Sequence, residues 1–343
     1  MLLTVPPILR VAHAKKLFDP VNSRKIHKPN VPPLGGIAIF ISFILTTIVV
    51  TDGYSFDSLK YIIAAVILMF FIGLKDDLLT ISVKKKLIVQ LFAAMLLITL
   101  GNLRFTSFQG ILGIYDINYF GSLVFSLFVI ILIINAFNLI DGIDGLASGL
   151  TILSGSAFGI LFYLEGNIQF SIMSFALVGS LSGFFIYNVF GKRNKLFMGD
   201  SGSLIIGLII STLVIKFNET NIVKSIPYFI IGAPAVSLAI IIIPLIDTVR
   251  VMAIRIGLKR SPFSADRNHI HHCILKMHPS HLKSTILIVS INGVIITMSL
   301  FLNFISLNVN LQFISVVLIG VLSVVFLGKL KYSYKAKYRL QRL

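Results

Sequence analysis

Apolar runs of about 20 residues recur along almost the whole chain, each closed by a short polar or charged segment, the length a helix needs to cross a hydrocarbon core of about 30 Å. The pattern predicts ten helices, near residues 34–51, 59–74, 87–101, 120–138, 146–164, 168–190, 203–217, 226–249, 284–305 and 311–328. Several of these runs are short for a full crossing, so tilted helices or half-buried ends are expected. The expected fold class is all-α: a polytopic membrane helical bundle forming one transmembrane domain over 1–343, with no separate soluble module. Residues 1–33 are read as a cytoplasmic N-terminal segment, 250–283 as a cytoplasmic histidine-containing loop and 329–343 as a basic cytoplasmic tail. The first segment is basic and broken by Pro6, Pro7, Pro20, Pro29, Pro32 and Pro33, with no apolar core of the signal-peptide kind.

Composition points the same way. The chain is 56% hydrophobic and 13% charged, against roughly 25% charged in an average soluble domain. A net charge of +17 would suggest nucleic acid in a soluble protein. Here the basic residues flank apolar runs, so topology and anionic headgroups account for them, and nucleic acid is excluded as a partner. With the N-terminus cytoplasmic, 26 of the 30 Lys and Arg residues lie on inner segments, and only Lys60, Arg104, Lys216 and Lys224 lie outside. This asymmetry predicts that both termini are cytoplasmic. The single Cys273 rules out an internal disulfide framework and any multi-cysteine metal site. In the tail, six basic residues alternate with Tyr332, Tyr334 and Tyr338, as in a segment lying on headgroups.

Acids near a bilayer are expensive and need a partner, a cavity or a task. Eight of the 13 fall on the predicted inner face: Asp19, Asp76, Asp77, Asp141, Asp144, Asp200, Asp247 and Asp266. Asp76-Asp77 closes the second predicted helix ahead of Lys84-Lys85-Lys86, and adjacent carboxylates repel unless a cation or proton lies between them. The alternative is a solvated helix end paired with lysines. Asn135-Ala136-Phe137-Asn138 through Asp141-Gly142-Ile143-Asp144-Gly145 puts two amides and two acids at one helix end, more than a plain turn requires. Phe197-Met198-Gly199-Asp200-Ser201-Gly202-Ser203 reads as a loop entering a helix N-terminus, suited to phosphate and a hard cation or, equally, to simple capping.

The long loop 250–283 carries Arg250, Arg255, Lys259, Arg260, Asp266, Arg267 and the cluster His269-Ile270-His271-His272. Guanidiniums and imidazoles there can donate to diphosphate oxygens. Zinc is the rival, without a His-Glu-x-x-His helix or cysteine pair to support it. Together the four motifs are the parts of a phosphoryl-transfer site: hard-metal ligands, cationic clamps and helix N-termini. No P-loop is present, which argues against ATP hydrolysis. A polytopic membrane transporter is the reading from another class, and it would place its acids near the midplane of repeated halves.

These residues resemble the polyprenyl-phosphate N-acetylhexosamine-1-phosphate transferases. The resemblance runs from about Asp19 to Leu275 through Arg24-Lys25-Ile26-His27 with Pro33-Leu34-Gly35-Gly36, Asp76-Asp77, Asn138 to Asp144, Met198-Gly199-Asp200, and His269 to His272. The His-Ile-His-His form is most similar to the bacterial undecaprenyl-phosphate GlcNAc-1-phosphate branch, with the phospho-MurNAc-pentapeptide transferases of peptidoglycan synthesis as the alternative. The resemblance implies Mg²⁺, or Mn²⁺ in its place, on Asp200, and Asp76, Asp77 and Lys86 beside the diphosphate. It also implies Asn138 lining the same cleft, Asp141 and Asp144 in the nucleotide-sugar site, and Arg255, His269, His271 and His272 as the clamp on the sugar diphosphate. The implied substrates are a UDP-sugar and undecaprenyl phosphate, at the cytoplasmic side of a bacterial inner membrane. A homodimer is left open. Family members usually carry a transmembrane helix ahead of Arg24, where this chain has only Met1 to Ala14, so that helix is expected to be truncated or abbreviated.

Overall fold

In the computed structural model the described residues are 1, 3–15, 17, 31–51, 58–192, 194–261, 268–275 and 280–340, with backbone alone over 329–340. Asp19, Arg24 to His27, Asp266, Arg267 and the side chains of the basic tail lie outside the described residues. The helices are α1 (Val5–Ala14), α2 (Gly35–Val50), α3 (Leu59–Leu79), α4 (Val83–Thr99), α5 (Tyr119–Ile140), α6 (Leu146–Leu164) and α7 (Ile168–Phe185), which runs on through a π-helical turn at Ile186–Phe190. They continue with α8 (Gly199–Thr220), α9 (Ala233–Ile240), α10 (Ile242–Gly257), α11 (Ile270–Leu275), α12 (His281–Phe304) and α13 (Val309–Leu340).

The all-α membrane bundle is borne out. Six of these helices are long and apolar enough to cross a bilayer: α5, α6, α7 with its π-helical turn, α8, α12 and α13 as far as Gly328. The bent pair α9 and α10 makes a seventh candidate, and α2 is apolar but only 16 residues long. In α3 the apolar run 61–74 is bounded by Lys60 and Lys75. The sequence pattern did not announce β1 (Ser107–Ile111) and β2 (Ile114–Asp116), an antiparallel hairpin between α4 and α5 whose turn passes through Gly110 and Gly113 at positive φ.

The single continuous helix expected at 226–249 is corrected. Residues 226–232 lie outside helices, and the remainder is α9 and α10 meeting at 75°. Pro244 has no N–H to give to the Ile240 carbonyl, so a continuous helix would leave that oxygen bare. Ser154 Oγ and Asn292 Nδ2 donate to it instead, each at 3.0 Å, and Asn292 Oδ1 accepts from Ile243 N at 3.3 Å. Protein groups thus replace the missing bonds, as unpaired backbone at membrane depth requires.

The axis of the bundle is α8, in which every residue from Ser201 to Ile215 is buried. Between apolar helices there is little hydrophobic drive, so close packing by small residues carries the assembly. A Cβ on Gly36 of α2 would fall within 2.3 Å of Gly202 N, one on Gly73 of α3 2.4 Å from Ser201 Cα, and one on Gly207 2.5 Å from Ile134 Cα of α5. Three of the hydroxyls that this burial encloses bond back to their own helix, Ser203 to Gly199 O, and Ser211 and Thr212 to Leu208 O. Three helices are therefore held against one end of α8, the end that begins at Asp200.

Candidate functional site

The site is assembled where helix ends converge on the N-terminus of α8. Two sequence motifs are joined there through backbone: Gly35 N and Gly36 N, free at the start of α2, donate to Phe197 O and Met198 O at 2.9 Å, and Phe197 N donates to Pro32 O at 3.1 Å. Gly199 turns the chain into α8 at φ 71, where a side chain would strike Asp77 and Pro33 O. The helix starts four residues earlier than the apolar pattern suggests, so Asp200 lies in its first turn.

The two acids of the Asp76-Asp77 pair do different work, and only the structure separates them. Asp77 caps α8 from another helix. Its Oδ1 accepts from Asp200 N at 2.6 Å, and its Oδ2 accepts from Ser201 N at 3.0 Å and Ser201 Oγ at 2.6 Å. Asp76 faces Lys86, whose ammonium sits 2.5 Å from Asp76 Oδ2 and 2.6 Å from Asp200 Oδ2. Asn138 Nδ2, at the end of α5, donates to Asp200 Oδ1 at 2.5 Å and to Ser203 Oγ at 2.8 Å. Asp76, Lys86, Asn138 and Asp200 thus form one partly exposed group.

Does this donor set suit a hard divalent cation? Among the described residues no three His, Cys, Asp or Glu side chains are grouped as a metal cage. Mg²⁺ does not require one, since it is held by one or two carboxylates together with waters and substrate phosphates. Asp76 and Asp200 already bracket a positive charge, that of Lys86, so the oxygen chemistry fits. The histidines are not arranged as a zinc site among the described residues.

Asp141, in the loop between α5 and α6, has no hydrogen-bond partner among the described residues and is only half-buried. Burial, and then the charges of Asp200, Asp77 and Asp144, push its carboxyl up to about 7. Asp144 three residues on is instead an anchor: Lys195 Nζ lies 2.6 Å and His281 Nδ1 2.8 Å from its Oδ2, and Thr285 Oγ1 donates to its carbonyl at 3.0 Å. Although burial raises it, the hydrogen bonds from His281 and Lys195 hold that carboxyl below its ordinary value. Lys195 and His281, distant in sequence from Asp144, were not singled out by the motifs.

The histidines of the long loop also divide. His271 is 1% exposed, its ring set against Gly142, with Nδ1 unpaired among the described residues. Burial, then the nearby His272 and His269, push its pKa down to about 3, so it is neutral at physiological pH. His272 tilts against it with ring centroids 4.2 Å apart and stays half-buried. His269 is tied to Asp247 and lies 3.5 Å from Arg255. A Cβ on Gly142 would lie 2.1 Å from His271 Nε2, so Gly142→Ala is expected to force apart the Asp141 loop and the histidine loop. Overpacking of this kind costs about 1–3 kcal/mol. A lowered thermal midpoint in detergent, together with weaker nucleotide-sugar binding, is the expected result; an unchanged variant would show that the two loops are not in register.

A family model described as Glycosyl transferase family 4 matches residues 59–218. The chain is 36% identical over 271 residues to the undecaprenyl-phosphate alpha-N-acetylglucosaminyl 1-phosphate transferase of Escherichia coli O157:H7, covering 78% of this chain and 71% of that one. Its similarity to the Yersinia pestis protein of the same name is 33%, over 78% and 72% of the two chains. With the probable undecaprenyl-phosphate N-acetylglucosaminyl 1-phosphate transferase of Bacillus subtilis it shares 30% over 301 residues, 87% of this chain and 80% of that one.

Proposed function

This chain belongs to glycosyl transferase family 4, and on that premise we propose that it moves N-acetylglucosamine 1-phosphate from UDP-GlcNAc to undecaprenyl phosphate in a bacterial inner membrane. The products are UMP and a lipid-linked diphospho-sugar that would initiate a cell-envelope glycopolymer. The observation that carries the reading is the group of Asp76, Lys86, Asn138 and Asp200 at one end of the bundle, two carboxylates bracketing a cation beside an amide. The excess of Lys and Arg on the segments at that end supports a cytoplasmic site.

In this reading an oxygen of the lipid phosphate attacks the β-phosphorus of the UDP-sugar, the bond to the UMP oxygen breaks, and UMP leaves with the electron pair. A phosphate monoester has a second pKa near 6, so the nucleophile is already largely ionised and needs little help from a base. Positioning then dominates. Mg²⁺, held by Asp200 with Asp76 beside it, would supply neutralisation of the diphosphate. Lys86 offers a point charge to phosphate oxygens, Asn138 holds Asp200 by its amide, and Asp77 keeps the first turn of α8 in place. Asp141, without a hydrogen-bond partner among the described residues and near enough to feel the charges of Asp200 and Asp77, is the acid left for the nucleotide sugar, while Arg255 and the histidines would grip the diphosphate.

The test is release of UMP by purified protein given UDP-GlcNAc, undecaprenyl phosphate and Mg²⁺. A lipid-linked GlcNAc product, lost on chelation and restored by Mg²⁺, is expected. Turnover of UDP-MurNAc-pentapeptide instead would move the chain to the peptidoglycan reaction, and no turnover of any UDP-HexNAc would overturn the proposal.

A further inference from the structure

Among the described residues Asp247 is the most deeply enclosed acid in the charged end of the bundle, at 0% exposure, and the reaction outlined above makes no use of it. Its carboxylate gathers three donors. Oδ1 accepts from Arg250 Nη2 at 2.7 Å and from Ile270 N at 3.1 Å, and Oδ2 lies 2.8 Å from His269 Nδ1. Arg250 Nη2 also donates to Asn268 O at 2.6 Å. The segment 268–270, which opens α11, is thereby fastened to α10 by one side chain and its arginine neighbour.

The chemistry of these groups sets a direction. An ionised carboxylate only accepts, so His269 Nδ1 must carry its proton toward Asp247. The other ring nitrogen of a neutral imidazole then presents a lone pair. That nitrogen, Nε2, lies 3.5 Å from Arg255 Nη2, and a guanidinium only donates. His269 and Arg255 are themselves 4% and 3% exposed, so neither ring nor guanidinium is free to swing.

We propose that Asp247 is a positioning residue: through His269 it sets the orientation of Arg255, and hence the grip on the donor diphosphate, without itself touching substrate. This deepens the transferase reading and rests on it. The logic is that of an outer-sphere acid that fixes an imidazole's tautomer and aim.

Asp247→Asn is the discriminating change. An amide must turn its NH₂ either toward His269 Nδ1 or toward the Ile270 and Arg250 donors. In the first case the ring flips its proton to Nε2, which then faces Arg255 donor to donor. KM for UDP-GlcNAc should rise about tenfold, with kcat and the KM for the lipid phosphate changed less than about threefold, the pattern of lost donor binding. In an Arg255→Ala background, Asp247→Asn should add less than about twofold, because residues acting through one another are not additive. Full additivity, or a fall in kcat with KM unchanged, would overturn the assignment. If Asp247→Asn does not fold, Asp247→Glu, which keeps the carboxylate but displaces it from His269 Nδ1, takes its place in the same cycle.

A second measurement needs no turnover, so it separates this inference from the transferase reading. The ¹⁵N shifts of His269 in the wild-type protein should report an Nδ1–H tautomer. An Nε2–H tautomer would defeat the proposal even in a protein that releases UMP.

Discussion

Asp200→Ala should reduce turnover by about a thousandfold while the bundle stays folded. One carboxylate at the N-terminus of α8 accepts from Lys86 and from Asn138 at 2.6 and 2.5 Å, so its loss removes the common partner of both. Removing one aligned electrostatic group from a reacting centre typically costs about 10²–10³ in kcat, and on the proposed reading the loss of an Mg²⁺ ligand would add to that. The backbone N–H of residue 200 is still capped by Asp77, so the start of α8 should keep its place and the thermal midpoint should move by less than about 3 °C. UMP release and the midpoint, measured on the same detergent preparation, decide the matter. A variant that keeps a tenth of the wild-type kcat would show that the reaction is centred elsewhere. Asp77→Ala offers the contrast: it should lower stability by about 1–2 kcal/mol, the usual worth of a cap, and reduce activity by loosening α8.

The second large effect is expected from Gly36→Val. The added Cβ would meet Ser201 Oγ and Gly202 N, and the second of these is backbone of the most buried helix, which cannot rotate aside. Relief requires α2 to move away from α8, and that in turn breaks the bonds from Gly35 and Gly36 to Phe197 and Met198. The cost should reach about 3 kcal/mol or more, and a broad, early thermal transition with no measurable activity is expected. Gly73→Val should behave alike from α3, where its Cβ would meet Ser201 Cα and N. A Gly36→Val protein with a wild-type midpoint would mean that the two helices do not touch as described.

Both predictions depend on contacts that a one-dimensional reading reaches unequally. The acids at helix ends were legible because an acid beside an apolar run is costly and therefore conspicuous. Asp247 was conspicuous in the same way yet gained no role, since its partners His269 and Ile270 lie 22 and 23 residues away. Lys195 and His281 were not legible at all, because a single Lys or His at a helix end looks like any membrane-flanking residue until Asp144 is seen between them.

By itself the sequence determined that this protein lives in a bilayer, that its fold is a helical bundle and that its near-membrane acids gather at helix ends. Those conclusions follow from hydropathy period, charge asymmetry and the cost of an acid near hydrocarbon, all of which are properties of a stretch of chain. The tertiary structure alone decided how adjacent carboxylates divide their labour, Asp76 toward Lys86 and Asp77 onto the backbone of α8. It also decided where the helix at Pro244 breaks and which histidine is sealed against Gly142. Such distinctions turn on which backbone donor, carbonyl or cation lies within about 3 Å, and in this chain such partners come from distant segments, 141 residues apart for Asp144 and Thr285.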